Sequence, residues 1–183
     1  DAIEPDAITV AYSYIGPVLT HPMYRDGSIG KAKDHLFKTA KEITEEFNGI
    51  RAYLSVNKAL VTQSSAAIPI VPLYISILYK VMKAKGCHEG CIEQMYRLFN
   101  QKLFGEKPVL DAEGRIRLDD LELQDDIQEE VTKLWSDIST EKIAECADID
   151  GYWEEFYKLF GFKVTGVDYD AETDVEVKID SID

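Results

Sequence analysis

The first apolar block, Ala7 to Ile15, is nearly continuous and rich in β-branched residues, and Gly16-Pro17 stops it. Such a block predicts a strand buried on both faces. A loop is expected from there to Gly27. With Ser28 as a candidate cap, Ile29, Ala32, Leu36, Ala40, Ile43 and Phe47 then recur at steps of 3 or 4, which predicts one helix ended by Asn48-Gly49. Arg51 to Asn57 reads as a second strand. Strand, helix and strand form a βαβ unit, hence a parallel sheet with a right-handed crossover. Two strands do not complete such a sheet, so further strands are expected from outside this chain.

Beyond Gln63, Pro69 and Pro72 introduce a helix from Leu73 to Lys85, closed by Gly86. Another is expected from Glu89 to Leu103, with Ile92, Met95, Phe99 and Leu103 on its inner face. Gly114 to Leu118 reads as a turn or short strand. Ile127, Val131, Leu134 and Ile138 mark one face of a later helix, and a short helix follows from about Thr140. Asp150 is a candidate cap for a last helix that turns Trp153, Phe156, Tyr157 and Phe160 inward and ends at Gly161. From Phe162 the chain is expected to be irregular or short strand.

Charge divides the chain. Residues 1–105 hold 12 Lys+Arg and 10 Asp+Glu, whereas residues 106–183 hold 8 and 24, so the first part is slightly basic and the second exceeds the whole net charge of −14 in acidity. That balance argues against nucleic acid or an anionic membrane as partner. The longest apolar run, Ala66 to Tyr79, has 14 residues, short of the roughly 20 a membrane helix needs. No signal peptide is visible, and three cysteines make no disulfide framework, so a cytoplasmic setting is expected. With Asp rather than Met as first residue, an N-terminus made by trimming, by cleavage or by choice of the expressed segment is expected.

The chemistry concentrates in YSYIGP and YRDGSIGKAK. Tyr24 precedes Lys33 by nine positions, a spacing used by nicotinamide-dependent reductases. In an open parallel sheet, ligands bind beyond the carboxyl ends of the strands, where the loop holding Tyr24 falls. A nearby ammonium is expected to favour the Tyr24 phenolate. The everyday alternative, a loop tyrosine and a solvated lysine, stays open on spacing alone. Tyr14 shares a strand face with Tyr12 and is either a second donor to substrate or a core aromatic. Thr62 lies past the second strand, where it can meet a cofactor or simply cap a turn. Cys87-His88-Glu89-Gly90-Cys91 has no second cluster to complete four zinc ligands, so no metal is expected. The acidic run Asp119-Asp120 to Asp125-Asp126 reads as capping and solvated surface. No Gly-rich phosphate loop is present.

Taken with SVNKALVTQSSAAIPIVPLYISILYKVMKAKG, HEGCIEQMYRLF, GRIRLDDLEL and GYWEEFYKLFGFKVTGVDYD, these motifs resemble the trans-2-enoyl-CoA reductase and FabV-type enoyl-ACP reductase family over residues 7–170. The resemblance implies an α/β fold: the C-terminal part of a Rossmann-like, doubly wound parallel sheet with helical substrate-side elements and an acidic α-rich C-terminal region. It implies a division into 1–66 (NADH-binding catalytic part), 67–105 (substrate-side helices) and 106–183 (acidic region). The family is related to short-chain dehydrogenases with a Tyr-x8-Lys motif. Tyr24 matches its catalytic tyrosine, Lys33 its catalytic, cofactor-holding lysine, and Tyr14 its substrate-contacting tyrosine. Leu60, Val61 and Thr62 match the segment along NADH. The acidic region resembles a segment described in the family as flavin-binding. NADH-dependent reduction of an enoyl-CoA or enoyl-ACP follows as the expected activity. The partner would be the N-terminal half of the same, monomeric enzyme. The alternative is a non-catalytic fragment or interaction domain.

Overall fold

In the computed structural model, which describes residue 4 and residues 6–176, the first apolar block forms β1 (Ile8–Ser13). Arg51–Val56 forms β2, parallel to it, with Ile8 opposite Arg51 and Ser13 opposite Val56. Between them lie a short helix, α1 (His21–Tyr24), and the long α2 (Ser28–Glu46). The stretch expected as loop to Gly27 is thus partly helical. A 3₁₀ turn at Val18–Thr20 leads into α1, and Pro22 in the first turn of α1 pre-sets a helical φ. Gly27, not Ser28, is the N-cap of α2, because the extended conformation a cap needs falls one residue earlier.

A third strand comes from the acidic part of this same chain. β3 (Ile116–Arg117) pairs in parallel with β2, in the order β1-β2-β3, with Ser55 opposite Ile116. Part of the sheet sought elsewhere is therefore supplied from within. The remaining elements are α3 (Gln63–Ala66), α4 (Val71–Ala84), α5 (Cys91–Arg97), α6 (Asp125–Asp137), α7 (Ile143–Cys146) and α8 (Ile149–Lys158). α5 continues into a π-helical segment, Leu98–Leu103.

The core centres on α4. Tyr74, Ile75, Ile77, Leu78, Tyr79 and Met82 are buried together with Ile127 and Val131 of α6 and Tyr152 of α8. Each such apolar side chain contributes about 1.5–3 kcal/mol when fully buried. A smaller cluster, Leu98, Leu103, Ile116 and Leu118, lies by β3.

Three helix faces differ from the pattern in the sequence. On α2, Ala40 is buried, but Ile29 and Phe47 at the two ends of the expected stripe are 42% and 53% exposed. On α5, Ile92 is 78% exposed and Phe99, just beyond the helix, 39%, while Gln94 and Leu98 turn inward. Met95 and Leu103 of the expected stripe do pack in the core; the π-helical segment, with more residues per turn, leaves Phe99 between them off the contact face, and Ile92 lies before it on the open side of the helix. On α8, Tyr152 and Gly151 face the core, and Trp153 is 49% exposed. Of its aromatic stripe only Phe156 packs against the core; Trp153, Tyr157 and Phe160 are exposed, with Trp153 edge-on to Phe156 and Phe156 to Phe160. The cap of α8 is Asp148, whose carboxylate accepts from the Gly151 N–H at 2.9 Å and pairs with Lys83 of α4 at 2.7 Å. Asp150 is already inside the first turn. Asp148→Ala is therefore expected to cost about 1–2 kcal/mol in denaturant unfolding, and Asp150→Ala within about 0.5 kcal/mol of nothing. Equal effects would show that the cap is misassigned.

The acidic run is not a solvated face throughout. Asp119 is buried against Arg117 at 2.6 Å, and Asp120 pairs with Arg97 and Lys102 at 2.7 and 2.9 Å. Only Asp125 and Asp126 behave as first-turn helix charges.

Candidate active site

Tyr14 stands one residue past the carboxyl end of β1. Gly16 follows at φ +75°, and a Cβ there would collide with the Tyr14 ring and the Thr20 hydroxyl, so only glycine allows the chain to fold back this tightly. The turn carries α1 beside the strand end, with Tyr24 as its last residue. Gly30 is buried in the next helix, where a Cβ would strike the Arg25 carbonyl. That close approach lays the second turn of α2, with Lys33, over the end of α1.

The three candidates consequently meet. The Tyr14 and Tyr24 rings pack edge-on with centroids 4.8 Å apart. Lys33 Nζ lies 4.9 Å from the Tyr24 ring centroid and 5.4 Å from that of Tyr14, and donates to the Tyr14 carbonyl. Together they line a cavity of about 400 Å³ that also takes in Leu60, Thr62, Ile68, Val71 and Tyr74. Its wall is mostly apolar with a few convergent polar groups, the usual build of a small-molecule site.

Electrostatics departs from expectation at one point. Burial, then the Glu122 charge, pushes the Tyr24 hydroxyl above its ordinary value, whereas a neighbouring ammonium was expected to lower it. The Lys33 ammonium sits over the ring faces and on a carbonyl rather than at the Tyr24 oxygen. Tyr24 is thus held as a neutral phenol, the form that donates. Burial lowers Lys33 to about 8.

The segment after β2 is divided in its placement. Leu60 and Thr62 line the cavity. Val61 turns into the core, its N–H donating to the Tyr79 hydroxyl at 3.1 Å. The Thr62 hydroxyl accepts from the Ser65 N–H at 3.0 Å, capping α3. Cys87, His88 and Glu89 are separately engaged: Cys87 with the Met82 carbonyl, His88 on the Tyr79 ring, and Glu89 with Arg97.

The sequence reading missed Glu122, Tyr74 and Lys58. Glu122 is fully buried and accepts from Tyr14, Tyr74 and the Ala59 N–H. The signal available was a lone carboxylate between Leu121 and Leu123.

Residues 1–104 match the family model described as the trans-2-enoyl-CoA reductase catalytic region. The chain belongs to this family. A trans-2-enoyl-CoA reductase [NADH] of Ruminiclostridium cellulolyticum is 52% identical over 184 residues, covering 100% of this chain and 47% of that protein. An enoyl-[acyl-carrier-protein] reductase [NADH] of Coxiella burnetii is 54% identical over 178 residues, 95% of this chain and 44% of that protein. The crystal structure of Treponema denticola trans-2-enoyl-CoA reductase in complex with NAD is similar at a TM-score of 0.86 and 48% identity, over 93% of this chain and 43% of that one. The chain therefore spans about half the length of the relatives it matches. The Rossmann-like α/β character of the family agrees with the parallel sheet described above.

Residues 110–173 match a second family model, described as an enoyl reductase FAD binding domain. The side chains of that segment do not fit a flavin dinucleotide. It holds 19 acidic and 6 basic residues. The α6 N-terminus opens on Asp125 and Asp126, and that of α8 is filled by Asp148. These are the positions where a pyrophosphate would seek N–H donors. Arg115 and Arg117 are tied to Asp111, Glu113 and Asp119. What the segment does supply is β3 and Glu122.

Proposed function

We propose that this chain supplies the catalytic Tyr24–Lys33 part of an NADH-dependent reductase that saturates the C2=C3 bond of trans-2-enoyl thioesters carried on CoA or acyl carrier protein. The observation that supports this reading is the Tyr14–Tyr24–Lys33 cluster beyond the carboxyl ends of parallel strands, opening on a largely apolar cavity. The apolar wall suits an acyl chain, and the polar groups gather at one end of it. The names of the relatives, which specify NADH and enoyl thioesters, support the same reading.

The residues present fit the ribose end of NADH. Lys33 is a half-buried cation without an ion-pair partner among the described residues, so its N–H groups can take a ribose hydroxyl. Bound there, NADH supplies a hydride for C3 of the substrate. Tyr24 donates from its hydroxyl to the thioester oxygen, on which the electron pair of the C2=C3 bond collects as an enolate. The raised Tyr24 pKa keeps that donor protonated through neutral pH. Tyr24 then supplies or relays the proton that completes the saturated thioester. Tyr14 forms the wall beside the thioester, and Leu60 and Thr62 the wall beside the cofactor. Val61 holds that wall from behind.

The pyrophosphate and adenosine contacts are assigned to the N-terminal half of the same enzyme, monomeric when complete and cytoplasmic. In this division residues 1–66 belong to the nucleotide-binding catalytic part, 67–105 shelter the acyl chain, and 106–183 form the acidic region, whose β3 and Glu122 buttress both. No helix among the described residues is long and apolar enough to cross a membrane.

The test is NADH oxidation with a short trans-2-enoyl-CoA, measured from pH 6 to 10 in the complete reductase carrying this segment. Lys33 is charged below about pH 8 and neutral above it. The ribose contact is therefore strongest below that pH, and kcat/KM for NADH is expected to be flat there and to fall above. Absence of turnover rejects the reading, and turnover with a flat profile through pH 10 rejects the role given to Lys33.

A further inference from the structure

Glu122 is an expensive residue to keep where it is. A carboxylate without solvent contact costs several kcal/mol unless donors satisfy it, and an apolar side chain of similar size would serve packing better. Here three donors converge on it from three separate elements. The Tyr14 hydroxyl, past β1, reaches Oε1 at 2.9 Å. The Tyr74 hydroxyl, from α4, reaches the same oxygen at 2.6 Å. The Ala59 N–H, from the loop after β2, reaches Oε2 at 2.7 Å. Its own carbonyl is held by Gln128 of α6 at 2.6 Å. Lys58, buried beside it, donates to the Ala59 carbonyl at 3.0 Å and so braces the same loop.

We infer that Glu122 is a positioning residue of the reductase site, a clamp by which the acidic C-terminal segment sets Tyr14 and the Asn57–Thr62 loop against the cavity. The inference rests on the reductase reading above. Glu122 does not line the cavity; it acts through groups that do. Holding the Tyr14 hydroxyl fixes the ring that packs edge-on against Tyr24, and so fixes the Tyr24 hydroxyl. Holding Ala59 N–H fixes the backbone leading to Leu60 and Thr62. Because the Tyr14 proton is directed to Glu122, Tyr14 offers the cavity its ring and lone pair, and Tyr24 is left as the hydroxyl donor to the thioester. A segment whose side chains do not suit a flavin thereby has a part in catalysis.

Glu122→Gln keeps the size and removes the charge, and its NH₂ group must face either the two tyrosine hydroxyls or the Ala59 N–H. In the complete reductase, with kcat referred to sites counted by NADH binding, this variant is expected to lose kcat on the order of 10²-fold while the KM for NADH holds. Tyr14→Phe is expected to lose a similar factor, and the double variant no more than the worse single. A purely structural role lowers the melting temperature and the number of sites but not kcat per site. Wild-type kcat per site in Glu122→Gln overturns the inference, as do losses that multiply in the double variant. Should Glu122→Gln fail to fold, Tyr74→Phe removes one donor and leaves the carboxylate; it is expected to lower kcat per site, and unchanged kcat overturns the inference. An inactive wild-type enzyme removes the reductase reading itself, whereas an active one with an indifferent Glu122→Gln removes only the clamp.

Discussion

Tyr24→Phe is expected to lower kcat on the order of 10²–10³-fold, the usual loss when one donor to a developing oxyanion is removed. Affinity for NADH should stay where it was. The substitution deletes one oxygen and keeps the ring. The edge-on contact with Tyr14 at 4.8 Å and the Lys33 ammonium 4.9 Å from the ring centroid both survive it. Lys33 still donates to the Tyr14 carbonyl, so the cofactor contact proposed for it is left in place. What disappears is the hydroxyl that burial holds protonated. Steady-state kinetics in the complete reductase, paired with fluorescence titration of NADH, separates the two effects. An unchanged kcat would remove Tyr24 from the chemistry, and a parallel loss of NADH affinity would make it a cofactor ligand instead.

The second large effect is on stability. Arg97 donates to Glu89 twice, at 2.6 and 2.8 Å, to Asp120 at 2.7 Å, and to the Leu118 carbonyl at 2.7 Å. Its side chain and that of Glu89 are only 11% and 12% exposed. Arg97→Ala strands the Glu89 carboxylate and the Leu118 carbonyl in a place water barely reaches. Removing one partner of such a pair costs about 3–5 kcal/mol. At roughly 2–4 °C per kcal/mol for a chain of this size, the melting temperature should fall on the order of 10 °C. The solvated pair Lys38–Glu42 is the contrast: its loss is worth about 0–1 kcal/mol. Thermal unfolding followed by circular dichroism measures both. A small shift in Arg97→Ala would mean that water replaces the guanidinium. That would separate α5 from the 118–120 turn, and β3 would then owe little to this cluster.

Legibility followed the distance along the chain. Tyr24 and Lys33 are nine positions apart, and the turn chemistry between them is local: Pro22 starts α1, and glycines stand at 27 and 30. The two side chains could therefore be placed near one another before any coordinate was known, though their roles were suggested only by the resemblance over residues 7–170. The same holds for the βαβ unit, whose strand and helix periodicities are written in consecutive residues. Helix faces were read less well. The apolar stripe of α8 points largely away from the core, because periodicity locates a stripe without saying what it meets.

Residues 1–57 alone determined the order strand, helix, strand, the parallel pairing that order requires, and the placement of Tyr24 beyond the strand ends. They did so because short loops and a crossover of one hand leave few alternatives. Only the tertiary structure decided that β3 joins β2 from the far side of the chain, and that Glu122 reaches Tyr14 across 108 positions. A two-residue strand has no periodicity to read. A carboxylate among leucines looks the same whether it faces water or three donors, and the difference lies entirely in what folding brings to it.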